Sequence, residues 1–202
     1  MRTLKYFLSD AAKHVARVHQ LDFIGAFLQA KVKNRVLVKL DMRYADYFQK
    51  YVQYFGRALK LLQSVYGMTN SGKLFADELT EWLIEEGFMQ SQCQMSIYYK
   101  YAPDGSKIVV LSYFDDCVYW YTNEDLGKWF VDTLGKRFHV NFLRFSHWFM
   151  PIIISQLKHH SISVEKARYT TYIVAKYLYT ATVKVSNKFH KTTLPADMVF
   201  TK

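Results

Sequence analysis

Apolar positions recur along the chain in two rhythms, helical and strand-like, and the switches between them delimit the predicted elements. Leu4, Phe7, Leu8, Ala11, Ala12 and Val15 return every three or four residues, which predicts an amphipathic helix over 3–16. Residues 18–22 read as a short strand ending on Asp22, and 23–28 as a strand-to-helix turn pivoting on small residues. Residues 35–40 alternate as a strand does. The stretch 44–55 holds four Tyr and two Phe in no clear period, and fits either a helix or a long insertion. Residues 59–65 are apolar and lead into a polar, glycine-punctuated turn over 66–73. Leu74, Phe75, Leu79, Trp82 and Leu83 then predict a helix over 74–86, stopped by Gly87.

The second half is richer in strands. Residues 95–101 and 107–113 read as a hairpin turned at Pro103-Asp104-Gly105. A strand over 117–121 follows the Asp115-Asp116 pair, and a helix over 124–137 follows it, with Asn123 or Thr122 as its cap. Residues 138–142, 145–156 and 161–164 are strand-like, with His159-His160-Ser161 as the turn between the last two. Residues 165–179 read as a helix and 180–202 as an extended connector. This order predicts an α+β fold, a mainly antiparallel sheet with helices on one face. In it the Asp22 strand and the Asp115-Asp116 turn meet on one edge of the sheet.

At 202 residues, half of them hydrophobic and 17% aromatic, the chain has ample material for a packed core. Its net charge is +10, and residues 155–202 hold eight Lys and Arg against Glu165 and Asp197, a local net of +6. Such a segment is either a solvated basic tail or a surface for a polyanion, most often nucleic acid. Cys93 and Cys117 are too few for a disulfide framework or a cysteine zinc site, which fits an intracellular setting. The first ten residues lack the apolar region of a signal peptide, and the longest apolar run, 148–154, is too short for a bilayer and contains Pro151. No membrane is expected as a partner. A helix that opens almost at Met1 predicts that a larger domain has lost its front.

The candidate chemistry lies in three aspartates. Asp115 and Asp116 sit between apolar, β-prone runs, so they are either an exposed hairpin turn or a carboxylate pair awaiting a cation. Asp22, between Leu21 and Phe23, is either a helix cap or a third member of that set. Three converging carboxylates do not all stay ionised without cations, and oxygen-only ligands select hard ions such as Mg²⁺. Two such ions about 4 Å apart serve in-line nucleotidyl transfer.

The strings Gln20-Leu21-Asp22-Phe23-Ile24-Gly25-Ala26-Phe27-Leu28, Val65-Tyr66-Gly67-Met68 and Leu111-Ser112-Tyr113-Phe114-Asp115-Asp116 occur in the order and spacing of a copia-type LTR-retrotransposon reverse transcriptase. The resemblance runs from about residue 4 to the end. It implies an RNA-directed DNA polymerase with a palm in which Asp22, Asp115, Asp116 and the Phe23 main-chain carbonyl bind two Mg²⁺, Mn²⁺ being a substitute. It implies that Phe27 screens out ribose 2′-hydroxyls, with plain core packing as its other reading. Asn70 stands at a usual Gln that contacts the incoming nucleotide, Lys73 at a usual Arg and Gly72 at a usual Pro. Residues 1–148 would be partial fingers and palm, 149–180 a primer-grip hairpin and first thumb helix, and 181–202 a connector. Pro151 replaces a usual Gly beside the grip strand, the basic fingers strands would lie before Met1, and no protease, integrase or RNase H region is found. The implied partners are an RNA or DNA template with primer and dNTPs, in a cytoplasmic particle or the nucleus. The other readings are a catalytically inactive nucleic-acid-binding remnant of such an element and a receiver-like phosphoryl acceptor. The latter has the reverse order of single and paired acids.

Overall fold

Strand alternation in the middle of the chain builds one antiparallel sheet of six strands. Across it lie β4 (Met89–Gln90), β5 (Ile97–Tyr101), β6 (Lys107–Tyr113), β7 (Asp116–Tyr121), β1 (Val18–Phe23) and β8 (Val140–Leu143). The computed structural model describes residues 2–39, 41, 43, 46, 49–54, 56–143, 148–149, 152–156 and 161–165. The β5–β6 hairpin turns where its tripeptide predicts, with Gly105 at φ 81° and Asp104 Oδ1 accepting the Ser106 N–H at 2.9 Å. Only β4 has no counterpart in the hydrophobic pattern of this sheet, since two residues on an edge carry too little alternation.

Both faces of the sheet are covered. Leu21, Phe23, Val110, Cys117 and Tyr119 pack with Phe75, Leu79 and Leu83 of α3 (Ser71–Glu85) and Phe130 and Leu134 of α4 (Glu124–Arg137). On the opposite face Val18, Val109, Leu111, Val118 and Trp120 pack with Leu4, Phe7, Leu8 and Ala11 of α1 (Arg2–Lys13). The two helices expected to cover one face are α3 and α4, and α1 packs on the other. An apolar helical stripe states that a face is buried, not which side of the sheet buries it.

A second, three-stranded sheet shares the α1 side. It consists of β9 (Trp148–Phe149), β10 (Ile152–Gln156) and β11 (Ile162–Glu165), with β10 in the middle. The single strand expected over 145–156 is thus broken: β9 pairs with β10, Phe149 opposite Ile152. Phe149, Ile152 and Ile154 enter the same core as α1. Gln156 fastens β10 to β1, its Oε1 accepting the Val18 N–H at 2.9 Å and its Nε2 donating to the Val18 carbonyl at 2.7 Å. Pro151, the 157–160 turn, the helix expected over 165–179 (apart from Glu165, which ends β11) and the connector lie outside the described residues.

Smaller elements complete the frame. α2 (Ala26–Gln29) follows β1, while β2 (Leu37–Lys39) and β3 (Ala58–Lys60) pair as a separate ribbon. Gln49–Tyr54, within the aromatic stretch, is a 3₁₀ helix. α3 begins at Ser71, three residues ahead of its first large apolar residue, because the Ser71 hydroxyl donates to the Val65 carbonyl at 2.6 Å and closes the preceding turn. Of the two expected caps of α4, Asn123 and Thr122, it is Asn123 that serves, accepting the Asp125 N–H at 2.8 Å. Glu78 of α3 and Arg137 of α4 are hydrogen-bonded, with the Arg137 guanidinium over the Phe138 ring. Among the described residues no helix is long and apolar enough to cross a membrane.

α1 ends on Ala16 N–H donating to the Ala11 carbonyl at 2.9 Å, with Val15 at φ 59°. That left-handed position after a helix usually belongs to glycine. A β-branched residue is strained there by about 1–2 kcal/mol, and the Val15 side chain is exposed, so little packing offsets the strain. Val15→Gly is accordingly expected to stabilise the fold by about 1 kcal/mol, read as a higher urea midpoint at unchanged slope. A lower midpoint would show that the valine side chain holds the turn by contacts.

Candidate active site

The strand register brings the first aspartate to the pair. In β1 and β7 Asp22 lies directly opposite Asp116, and in β8 its partner is Asn141. The Phe23 N–H donates to the Asp115 carbonyl at 3.0 Å, tying the end of β1 to the turn between β6 and β7. Asp22 is consequently a strand residue and no helix cap; the cap position of α2 is Gly25, at φ 61°. The meeting point is the common end of two neighbouring inner strands, not an edge of the sheet.

Period-two alternation decides which way the acids face. Leu21, Phe23 and Cys117 point into the core under α3 and α4. Gln20, Asp22 and Asp116 alternate with them and so face the side that carries α1 and the small sheet. Asp115 occupies the turn itself and is exposed, while Asp22 and Asp116 are half-buried. Burial first, and then the charges of Asp115 and Asp22, push the Asp116 carboxyl above the usual carboxylate range, and a hydrogen bond from Gln20 draws it partly back. No ion pair among the described residues engages any of the three. Neighbouring Cys117 is fully buried and its thiol is pushed up to about 12, so it packs rather than reacts.

Among the described residues no group of three His, Cys, Asp or Glu side chains stands close enough together to hold a metal ion. The donor set nevertheless suits a divalent cation of the Mg²⁺ type. Its oxygens are hard and mutually repelling, and such an ion takes one or two carboxylates and completes its shell with water and phosphate. Phe23, whose main-chain carbonyl the resemblance implicates, buries its ring edge-on to Phe75 at 4.9 Å.

The first turn of α3 abuts this site. A Cβ on Gly72 would stand 3.5 Å from the Phe114 ring and 3.8 Å from that of Phe27, ordinary van der Waals distances, so the start of α3 lies against both rings. Phe27 is half-buried and packs on Tyr66 with ring centroids 5.1 Å apart. Asn70, at the cap position with no side-chain cap bond, and Lys73 flank Gly72, and both are exposed. They belong to a helix start rather than to the open turn expected over 66–73.

Three contributors escape sequence reasoning. Phe114 holds φ 53° in the turn before the acids and packs edge-on to Tyr113, with centroids 4.9 Å apart. Nothing in a Tyr-Phe-Asp-Asp string announces a left-handed phenylalanine. Gln29 pins the turn after β1 to the start of β8, donating to the Ile24 carbonyl at 2.9 Å and accepting the His139 N–H at 2.8 Å. Gln20 is the third: it opens the Gln-Leu-Asp string, but nothing in that string says that it stands diagonal to Asp116. A cleft of about 580 Å³ lies at the far end of β1, lined by His14, Arg17, His19, Tyr119 and Tyr121 among others, and none of its lining residues belongs to the carboxylate set.

A family model described as reverse transcriptase (RNA-dependent DNA polymerase) matches residues 1–190. No curated protein matches, and no solved structure matches.

Proposed function

Since the chain belongs to the reverse transcriptase (RNA-dependent DNA polymerase) family, we propose that its six-stranded sheet is the polymerase palm of a copia-type retrotransposon enzyme, with Asp22, Asp115 and Asp116 as its catalytic carboxylates. The observation that carries this reading is the cross-strand pairing of Asp22 with Asp116 beside the Asp115 turn.

Asp22, Asp115, Asp116 and the Phe23 main-chain carbonyl would hold two Mg²⁺, which when bound supply Lewis-acid chemistry for attack of a primer 3′-hydroxyl on a dNTP, with pyrophosphate leaving. The chain's own residues do the placing. Strands β1 and β7 fix two carboxylates side by side, and the Phe23–Asp115 main-chain bond fixes the third. Phe27, which packs on Tyr66 near Gly72, would be the screen against 2′-hydroxyls. Exposed Asn70 and Lys73 are the groups offered to the incoming nucleotide, and Lys73 meets its phosphates as a point charge. The β9–β11 sheet is the primer grip, and the net charge of +10 favours a nucleic-acid backbone.

Extension of a primed RNA template tests the reading. Mg²⁺-dependent incorporation that disappears in Asp115→Asn is expected, and incorporation that persists in that variant overturns the site. Template–primer binding that weakens steeply with salt, with nothing incorporated at any Mg²⁺ concentration, would instead assign the chain to a binding remnant.

A further inference from the structure

Gln20 precedes Asp22 by two residues on β1, so both side chains leave the same face. In the β1–β7 register Gln20 stands opposite Val118, and Asp116 comes two residues before Val118. Gln20 and Asp116 are therefore diagonal neighbours across the strand pair, a separation that a long side chain spans. Gln20 is only 6% exposed, and Val18, Val118 and Trp120 on its own face are buried. A buried primary amide in such company needs partners. The diagonal register puts its amide within reach of the Asp116 carboxylate, which it draws down, and because a carboxylate only accepts, it is the amide N–H that donates.

Resting on the metal reading above, we propose that Gln20 is a positioning residue that holds the Asp116 carboxylate in one orientation beside Asp22 and thereby sets the cation affinity of the three acids. Without the donor, repulsion from Asp22 and Asp115 turns the Asp116 carboxylate outward, and the set loses its shared direction. An asparagine would not serve: it is one methylene shorter and falls short of the diagonal.

The test uses the whole chain with Mn²⁺ alone as probe, free Mn²⁺ being read by electron paramagnetic resonance, and a thermal melt beside it. Gln20→Met keeps the volume and removes the donor. It is expected to weaken Mn²⁺ binding about 10-fold while the melt stays close to that of the parent. In primer extension the same variant lowers kcat about 10-fold with the KM for dNTP within about 2-fold, since a Gln20 that is 6% exposed acts through Asp116. Mn²⁺ affinity equal to the parent's in Gln20→Met overturns the inference. Should that variant not fold, Gln20→Asn carries the same expectation, and parental affinity there overturns it equally. Failure of the parent chain to bind Mn²⁺ overturns the metal reading itself, an outcome distinct from failure of the Gln20 role alone.

Discussion

Replacing Asp116 by asparagine is expected to leave a protein that melts higher than the parent in metal-free buffer at pH 7 and incorporates no nucleotide. The two effects share one cause. Burial and the charges of Asp115 and Asp22 hold the folded-state carboxyl above its ordinary range, so the folded chain keeps this proton to a higher pH than the unfolded chain does. Between the ordinary aspartate value and the raised one, the folded state binds more protons, and stability falls as pH rises through that window. Above the raised value the whole penalty is present. Asparagine removes the charge, keeps an oxygen that accepts from Gln20, and recovers the penalty. The gain should shrink as pH is lowered below the ordinary aspartate range, and melts at pH 7 and in acid read it directly. Activity moves the other way. A lost metal-binding carboxylate forfeits several kcal/mol of charge stabilisation, roughly 10³-fold or more in rate. Mg²⁺ should raise the melting temperature of the parent and leave the variant unmoved. A variant that melts lower than the parent at pH 7 would mean that Asp116 is tied into the fold rather than strained within it.

Phe75→Ala is the substitution expected to damage the fold most. Phe75 is fully buried in α3, edge-on to Phe23 at 4.9 Å and to Phe138 at 6.1 Å, so one ring joins the helix to β1 and to the end of α4. Truncation to alanine removes its apolar area and leaves a cavity, at a cost of about 4 kcal/mol. At this chain length that lowers the melting temperature by about 10 °C. The residue beside Phe23 is Asp22, so the loss of this support also loosens the acid it follows. Phe75→Leu, which refills most of the space, should cost only about 1 kcal/mol. Equal losses for the two variants would place the effect in the helix itself rather than in the cavity.

What was legible beforehand follows from the range of the forces involved. The β5–β6 hairpin and the α4 cap depend on neighbours within a few residues, Pro103-Asp104-Gly105 and Asn123, and both form where those residues place them. The Asp22–Asp116 pairing was readable as two strand ends able to meet, though not as a register. Other features depend on partners distant in sequence or on backbone conformation. The side of the sheet taken by α1 is decided by Trp120 and Val118, which no stripe on α1 reveals. The early start of α3 comes from a Ser71 hydroxyl finding the Val65 carbonyl. The break of 145–156 into β9 and β10 is invisible to hydropathy because both pieces are apolar. Val15 and Phe114 adopt left-handed backbone against their own preference, so propensity points away from them.

The fastening of Gln156 to Val18 has a consequence for synthesis. A nascent chain emerges at roughly 5–20 residues per second. Strand β1 and its sheet partners are complete once residue 143 has emerged, yet the side chain that engages the Val18 N–H and carbonyl lies 138 residues downstream of Val18. For about a second, then, the ribosome-bound sheet presents Val18 without its Gln156 clamp, and the apolar face that Phe149, Ile152 and Ile154 will cover lacks that cover as well. Premature termination in that interval would leave a folded sheet with an adhesive flank, so truncated products ending between 143 and 156 are the ones that should self-associate.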